Sequence, residues 1–145
     1  MRLAILHGPN LNRLGERNPA KYGNATLADI TRDVDATATR MDVEALHFQS
    51  NHEGALTEWV HERQSEVDGY VVNPAGLSSY GYPWLDALRD TGSPYAVVHI
   101  SQWHAHDGRE RTDIFAPTAT VYLAGAGWRG YSLAVEALVH HFRGE

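Results

Sequence analysis

Apolar and polar positions alternate along this chain in two registers. Short apolar runs predict buried strands at residues 2–7, 43–48 (VEALHF), 69–73 (GYVVN), 95–100 (YAVVHI) and 120–124 (TVYLA). Between these runs apolar residues recur every three or four positions, the spacing of a helix with one buried face. Leu27, Ile30, Val34 and Met41 keep that spacing behind Thr26, which reads as an N-cap with Asp29 as its capping-box partner three residues on. Leu56, Trp59 and Val60 mark a second helix starting near Glu53. Trp84, Leu85 and Leu88 mark a third that opens near Pro83, and a last one runs from about Tyr131 to Phe142.

Five strands alternating with helices predict a parallel sheet covered on both faces, and right-handed crossovers leave few other topologies. The expected fold is α/β, a flavodoxin-like three-layer α/β/α sandwich with a five-stranded parallel sheet. At 145 residues it is expected to be a single domain over residues 1–145. In such sheets ligands bind beyond the carboxyl ends of the strands, at the topological switch point. The loops after the first, third and fourth strands read "HGPNLNRLGERNPAKYG" (7–23), "NPAGLSSYG" (73–81) and "HISQWHAHDGRER" (99–111). They hold most of the unusual polar residues, so the site is expected there.

Composition narrows the function classes. Hydrophobic residues at 43% and charged residues at 21% are ordinary for a soluble globular protein. A formal charge of -6 argues against a nucleic-acid partner, which needs clustered cations. Nearly all the positive charge is arginine, which suits planar recognition of carboxylates. The absence of cysteine excludes disulfide and thiolate chemistry and fits a cytoplasmic location. Neither a signal peptide nor a membrane-spanning run is read, so no membrane partner is expected.

The loop residues suggest proton chemistry. A phenol ionises only near pH 10 or about there, but Arg17 beside Tyr22 would favour the phenolate and make it a usable base; a tyrosine merely packed on an arginine is the plainer reading. His99 and Ser101 lie on one side of their strand, where a core histidine satisfied by backbone is the competing explanation. Asn73 suits either a substrate carboxylate or the cap of the following turn. The histidines at 99, 104 and 106 complete no recognisable metal-ligand set, so no metal is expected. His140 and His141 suit the negative end of the last helix. "AGAGWRG" (124–130) departs from the dinucleotide fingerprint and reads as a tight turn.

Taken together, these loops resemble the type II 3-dehydroquinate dehydratases. The opening loop is similar to that family's GPNLN-LG-R-P--YG pattern. "FQSNHEGALTEWVH" (48–61), "VDGYVVNPAG" (67–76), "PYAVVHIS" (94–101) and "GAGWRGYSLAVEAL" (125–138) resemble its later segments in the same order. The resemblance implies a hydro-lyase that removes water from a cyclic β-hydroxy ketone carboxylate through an enolate, with no cofactor. It implies Tyr22 as base with Arg17 beside it, Asn10 holding the water at the enolate oxygen, and His99 as acid. Asn73, Ile100 and Ser101 would hold the carboxylate. Asp86 matches the acid that reaches a neighbouring subunit's site, in an expected homododecamer of four trimers.

Four positions depart from the family pattern. Ser79 stands where a substrate-binding histidine is expected. Val97 replaces the glutamate that would orient His99, His106 replaces an arginine of the lid, and Glu110 replaces the arginine that grips the ring hydroxyls, flanked by Arg109 and Arg111. Tyr80, Tyr82 and Trp84 suggest either a bulkier ligand edge or a subunit interface. These changes lead us to expect a lyase acting on an altered substrate related to 3-dehydroquinate. The alternatives are a non-catalytic homologue binding a carboxylated metabolite and a flavodoxin-like nucleotide binder.

Overall fold

The computed structural model describes residues 1–145. Its strands are β1 (Arg2–His7), β2 (Glu44–Gln49), β3 (Gly69–Asn73), β4 (Tyr95–His99) and β5 (Val121–Ala124). Its helices are α1 (Pro19–Tyr22), α2 (Leu27–Arg40), α3 (Glu53–Arg63), α4 (Tyr82–Asp90), α5 (Trp103–His106) and α6 (Gly130–Arg143). All strand pairings are parallel and the order is β2-β1-β3-β4-β5, the flavodoxin-like α/β arrangement.

The fold follows from where the apolar residues fall. β3 and β4 are buried along their whole length, as strands covered on both faces must be. On one face Ile30 and Val34 of α2 and Tyr131, Val135 and Leu138 of α6 pack on Leu3, Ile5, Val71 and Val98. On the other, Leu56 and Val60 of α3 and Trp84, Leu85 and Leu88 of α4 pack on Ala4, Leu6, Val72 and Val97. Full burial of each leucine, isoleucine or valine among them contributes about 1.5–3 kcal/mol. The Thr26–Asp29 capping box forms as expected, with the Asp29 N–H donating to Thr26 Oγ1 at 3.1 Å and the Thr26 N–H to Asp29 Oδ2 at 2.9 Å.

Strand ends differ from the sequence reading by a residue or so: β2 begins at Glu44, and β4 and β5 are each one residue shorter. Two short helices, α1 and α5, lie inside loops that the pattern left unassigned. Four residues are too few to show a period. Each is started by a side-chain cap instead, Asn18 Oδ1 accepting from Ala20 N and Gln102 Oε1 from His104 N, both at 3.0 Å. "AGAGWRG" is a tight turn, with Gly125 and Gly127 at φ 86° and 68°.

From β1 the chain crosses to β2 on one side, and from β2 it returns past β1 to β3 on the other. The switch point therefore lies above β1 and β3, where the loops after β1, β3 and β4 meet.

Candidate active site

The loop after β1 is drawn tight against β3. Gly8 N–H donates to the Asn73 carbonyl at 2.8 Å, and a Cβ at Gly8 would stand 2.6 Å from the Pro74 carbonyl oxygen. Only glycine permits that approach. Asn10 follows in the left-handed region at φ 68°, which asparagine tolerates better than most residues, and its N–H donates to Asn51 Oδ1 at 2.8 Å.

Further along the same loop, α1 ends at Tyr22. Arg17 Nη2 donates to the Tyr22 hydroxyl at 3.0 Å, and the guanidinium carbon lies 4.0 Å from the ring centroid. The sole lysine of the chain, Lys21, is beside it, with Nζ 5.3 Å from the same ring. Lys21 also pairs with Asp107 at 3.1 Å, and Asp107 with Arg111 at 2.7 Å. Burial works against the charge on Asp107, yet Lys21 and Arg111 hold its carboxyl below the ordinary range.

β3 and β4 deliver the remaining groups at their carboxyl ends. Asn73 Oδ1 accepts from Ala75 N at 3.0 Å, so the side chain does cap the turn, while still lining the cavity. Ala75 is held at φ 51°, a costly conformation for a residue with a Cβ, in the turn that Asn73 caps. His99 is buried, its ring stacked on Trp103 with centroids 5.6 Å apart.

His99 is not left without an orienting carboxylate, as the valine at position 97 led us to expect. Its Nε2 lies 2.6 Å from Asp113 Oδ2. Asp113 went unnoticed in the sequence because it sits 14 residues beyond the histidine in an irregular loop, with no spacing rule linking the two.

These loops enclose a cavity of about 280 Å³, at the small end of ligand pockets. The structure brings Asn10, Arg17, Tyr22, Asn73, His99, Ile100, Ser101 and Arg111 together around it, joined by Lys21, Trp103 and Asp107. Arg17, Lys21 and Arg111 are set against the one carboxylate of Asp107, so the lining is cationic inside a chain of net negative charge.

Other sequence candidates fall outside the lining. Arg111 reaches the cavity, whereas Glu110 and Arg109 are exposed and do not. Ser79 ends the turn after Asn73 with its hydroxyl buried and unpartnered, away from the lining. Asp86 is exposed on α4. Trp84 is a core residue, and Tyr80 and Tyr82 are 66% and 58% exposed, so none of the three edges this cavity. No group of three or more His, Asp or Glu side chains is placed to hold a metal ion, and no helix is long and apolar enough to cross a membrane.

Comparison with known proteins places this arrangement. The family model for class II dehydroquinases matches residues 1–139. A 3-dehydroquinate dehydratase of Roseiflexus castenholzii is 41% identical over 139 residues, covering 96% of this chain and 88% of that protein. One from Bacillus subtilis is 40% identical over 141 residues, covering 97% and 95%. The crystal structure of a type II dehydroquinase from Propionibacterium acnes is similar with a TM-score of 0.88 at 30% identity, over 95% of each chain. On that evidence the chain belongs to the class II dehydroquinase family.

Proposed function

We propose that the chain dehydrates 3-dehydroquinate. The observation that carries this reading is the pairing of Arg17 with the Tyr22 hydroxyl at 3.0 Å in one cavity with His99. Tyr22, as phenolate, takes the proton from the carbon next to the ketone. Arg17, 3.0 Å from the Tyr22 oxygen, and Lys21, 5.3 Å from the ring, are the cations set against it. The resulting enolate oxygen is met by a water held on Asn10. His99 then gives a proton to the departing hydroxyl, which leaves as water. Asn73, the Ile100 N–H and Ser101 hold the carboxylate, and the cationic lining suits that charge.

An altered substrate was expected from Ser79 and Glu110. Neither lines the cavity, and Arg111 offers a guanidinium next to the position where one was missing. The relatives at about 40% identity, named for 3-dehydroquinate, also favour the ordinary substrate. A full set of base, cation and acid favours catalysis over a non-catalytic carboxylate binder. Asp86, exposed on α4 near Tyr80 and Tyr82, is taken to serve the site of a neighbouring copy, with the two tyrosines at the contact.

Mixing the protein with 3-dehydroquinate should raise the ultraviolet absorbance of a conjugated enone carboxylate. The Tyr22→Phe chain should leave the trace flat. A flat trace from the unsubstituted chain contradicts the proposal.

A further inference from the structure

His99 must both give a proton and face the right way to give it. The residue two positions before it, Val97, packs in the core against the α3–α4 side of the sheet and can do nothing for it. The carboxylate arrives instead from the loop between α5 and β5. Asp113 Oδ2 lies 2.6 Å from His99 Nε2, and the two side chains are only 2% and 5% exposed.

Asp113 is itself held on three sides. Its Oδ1 accepts from the Phe115 N–H at 3.0 Å, and its Oδ2 accepts from the Tyr122 hydroxyl at 3.2 Å as well as facing His99. Phe115 is fully buried edge-on to Trp84, which anchors the loop to the core. Burial, with the Asp113 charge adding to it, pushes the Tyr122 phenol well above its ordinary value, so Tyr122 remains a donor. The Trp103 and Tyr122 rings pack against the imidazole with centroids 5.6 and 5.8 Å from it. A carboxylate whose other partners, the Phe115 N–H and the Tyr122 hydroxyl, are both donors takes the acceptor's part toward His99 as well.

We propose that Asp113 is the positioning residue for His99, fixing the ring with a proton on Nε2 and leaving Nδ1 as the nitrogen that serves the substrate. The proposal rests on the dehydratase reading for its chemical meaning. In the elimination step the carbon–oxygen bond breaks, its electron pair leaves with the hydroxyl, and the imidazolium Nδ1–H supplies the proton that makes water. The neutral ring then keeps its Nε2 proton, donated in a hydrogen bond to Asp113. The chain thereby carries the orienting carboxylate after the histidine rather than two residues before it.

The substitution Asp113→Asn separates this role from mere packing. The backbone N–H of Phe115 cannot turn away from its oxygen, whereas the Tyr122 hydroxyl can give its proton to His104 Nε2 at 3.3 Å instead, so the amide oxygen stays on Phe115 and the amide NH2 turns to His99. Nε2 must then accept, and the ring proton moves to Nδ1. Nitrogen-15 NMR of the neutral imidazole should show the Nε2–H tautomer in the unsubstituted chain and the Nδ1–H tautomer in Asp113→Asn. Turnover should fall by about 10–100-fold in kcat with KM changed by no more than about twofold, because the loss lies in the transition state. Asp113→Glu, which keeps the charge, should recover part of the rate. An Nδ1–H tautomer in the unsubstituted chain, or an unchanged kcat in Asp113→Asn, overturns the proposal. The nitrogen spectrum needs no substrate and only the unsubstituted chain. It therefore decides on Asp113 even if the asparagine variant fails to fold or 3-dehydroquinate is not turned over.

Discussion

At the scale of single residues, the proposed base chemistry falls on two side chains five positions apart. Arg17 touches both the hydroxyl and the face of Tyr22, so a positive charge lies against the phenol oxygen and the ring is fixed in place. Arg17→Met should therefore lower kcat by about 100-fold or more, in the range of a lost acid–base contribution, with a smaller change in KM. Steady-state kinetics on 3-dehydroquinate checks this. Both residues were legible in the sequence because they share one contiguous loop motif. Lys21 was visible as a letter but not as a site residue, since nothing before the fold turned its side chain toward the cavity. Asp113 was not legible at all: its role depends on a loop path that no periodicity encodes.

At the scale of elements, the strands and long helices were readable because burial imposes a period, and the site's location followed from sheet topology alone. The small braces between loops were not. Lys21 of α1, Asp107 just after α5 and Arg111 form one chain of ion pairs between the loop after β1 and the loop after β4. Partly exposed pairs of this kind contribute about 0.2–1 kcal/mol each. Asp107→Asn should accordingly raise KM by about two- to fivefold, and high salt should erase most of the difference from the unsubstituted chain. A second contact is stiffer. Gly8→Ala forces a methyl against the Pro74 carbonyl and should cost about 1–3 kcal/mol of stability, measurable by urea unfolding, while pushing the loop after β1 away from the end of β3.

At the scale of the whole molecule, one buried histidine ties stability to pH. His7 ends β1 with Nδ1 3.2 Å from the Tyr131 hydroxyl of α6 and Nε2 3.5 Å from His47 of β2, and His47 in turn meets Asp35 of α2 at 2.9 Å. Burial, and to a lesser degree His47, pushes the His7 imidazole down from 6.5 to about 3. The folded chain keeps this ring neutral while the unfolded chain protonates it below its ordinary value of 6.5. The unfolded state then binds more protons, so stability is lost as pH falls from about 6.5 toward 3, by up to about 1.4 kcal/mol per pH unit. Melting curves should show Tm falling by about 3–7 °C between pH 6.5 and roughly pH 5, with His7→Asn flattening that slope. An unchanged slope in the variant would show that other groups carry the acid sensitivity.

The central claim is a division of labour, with Tyr22 removing a proton next to the ketone and His99 completing the loss of water. Proton NMR of 3-dehydroquinate in deuterium oxide tests it most directly, comparing the unsubstituted, His99→Asn and Tyr22→Phe chains. The account predicts product from the unsubstituted chain. It predicts slow product but continued loss of the signal next to the ketone from His99→Asn, and neither change from Tyr22→Phe. Product formed by Tyr22→Phe at the unsubstituted rate would contradict it.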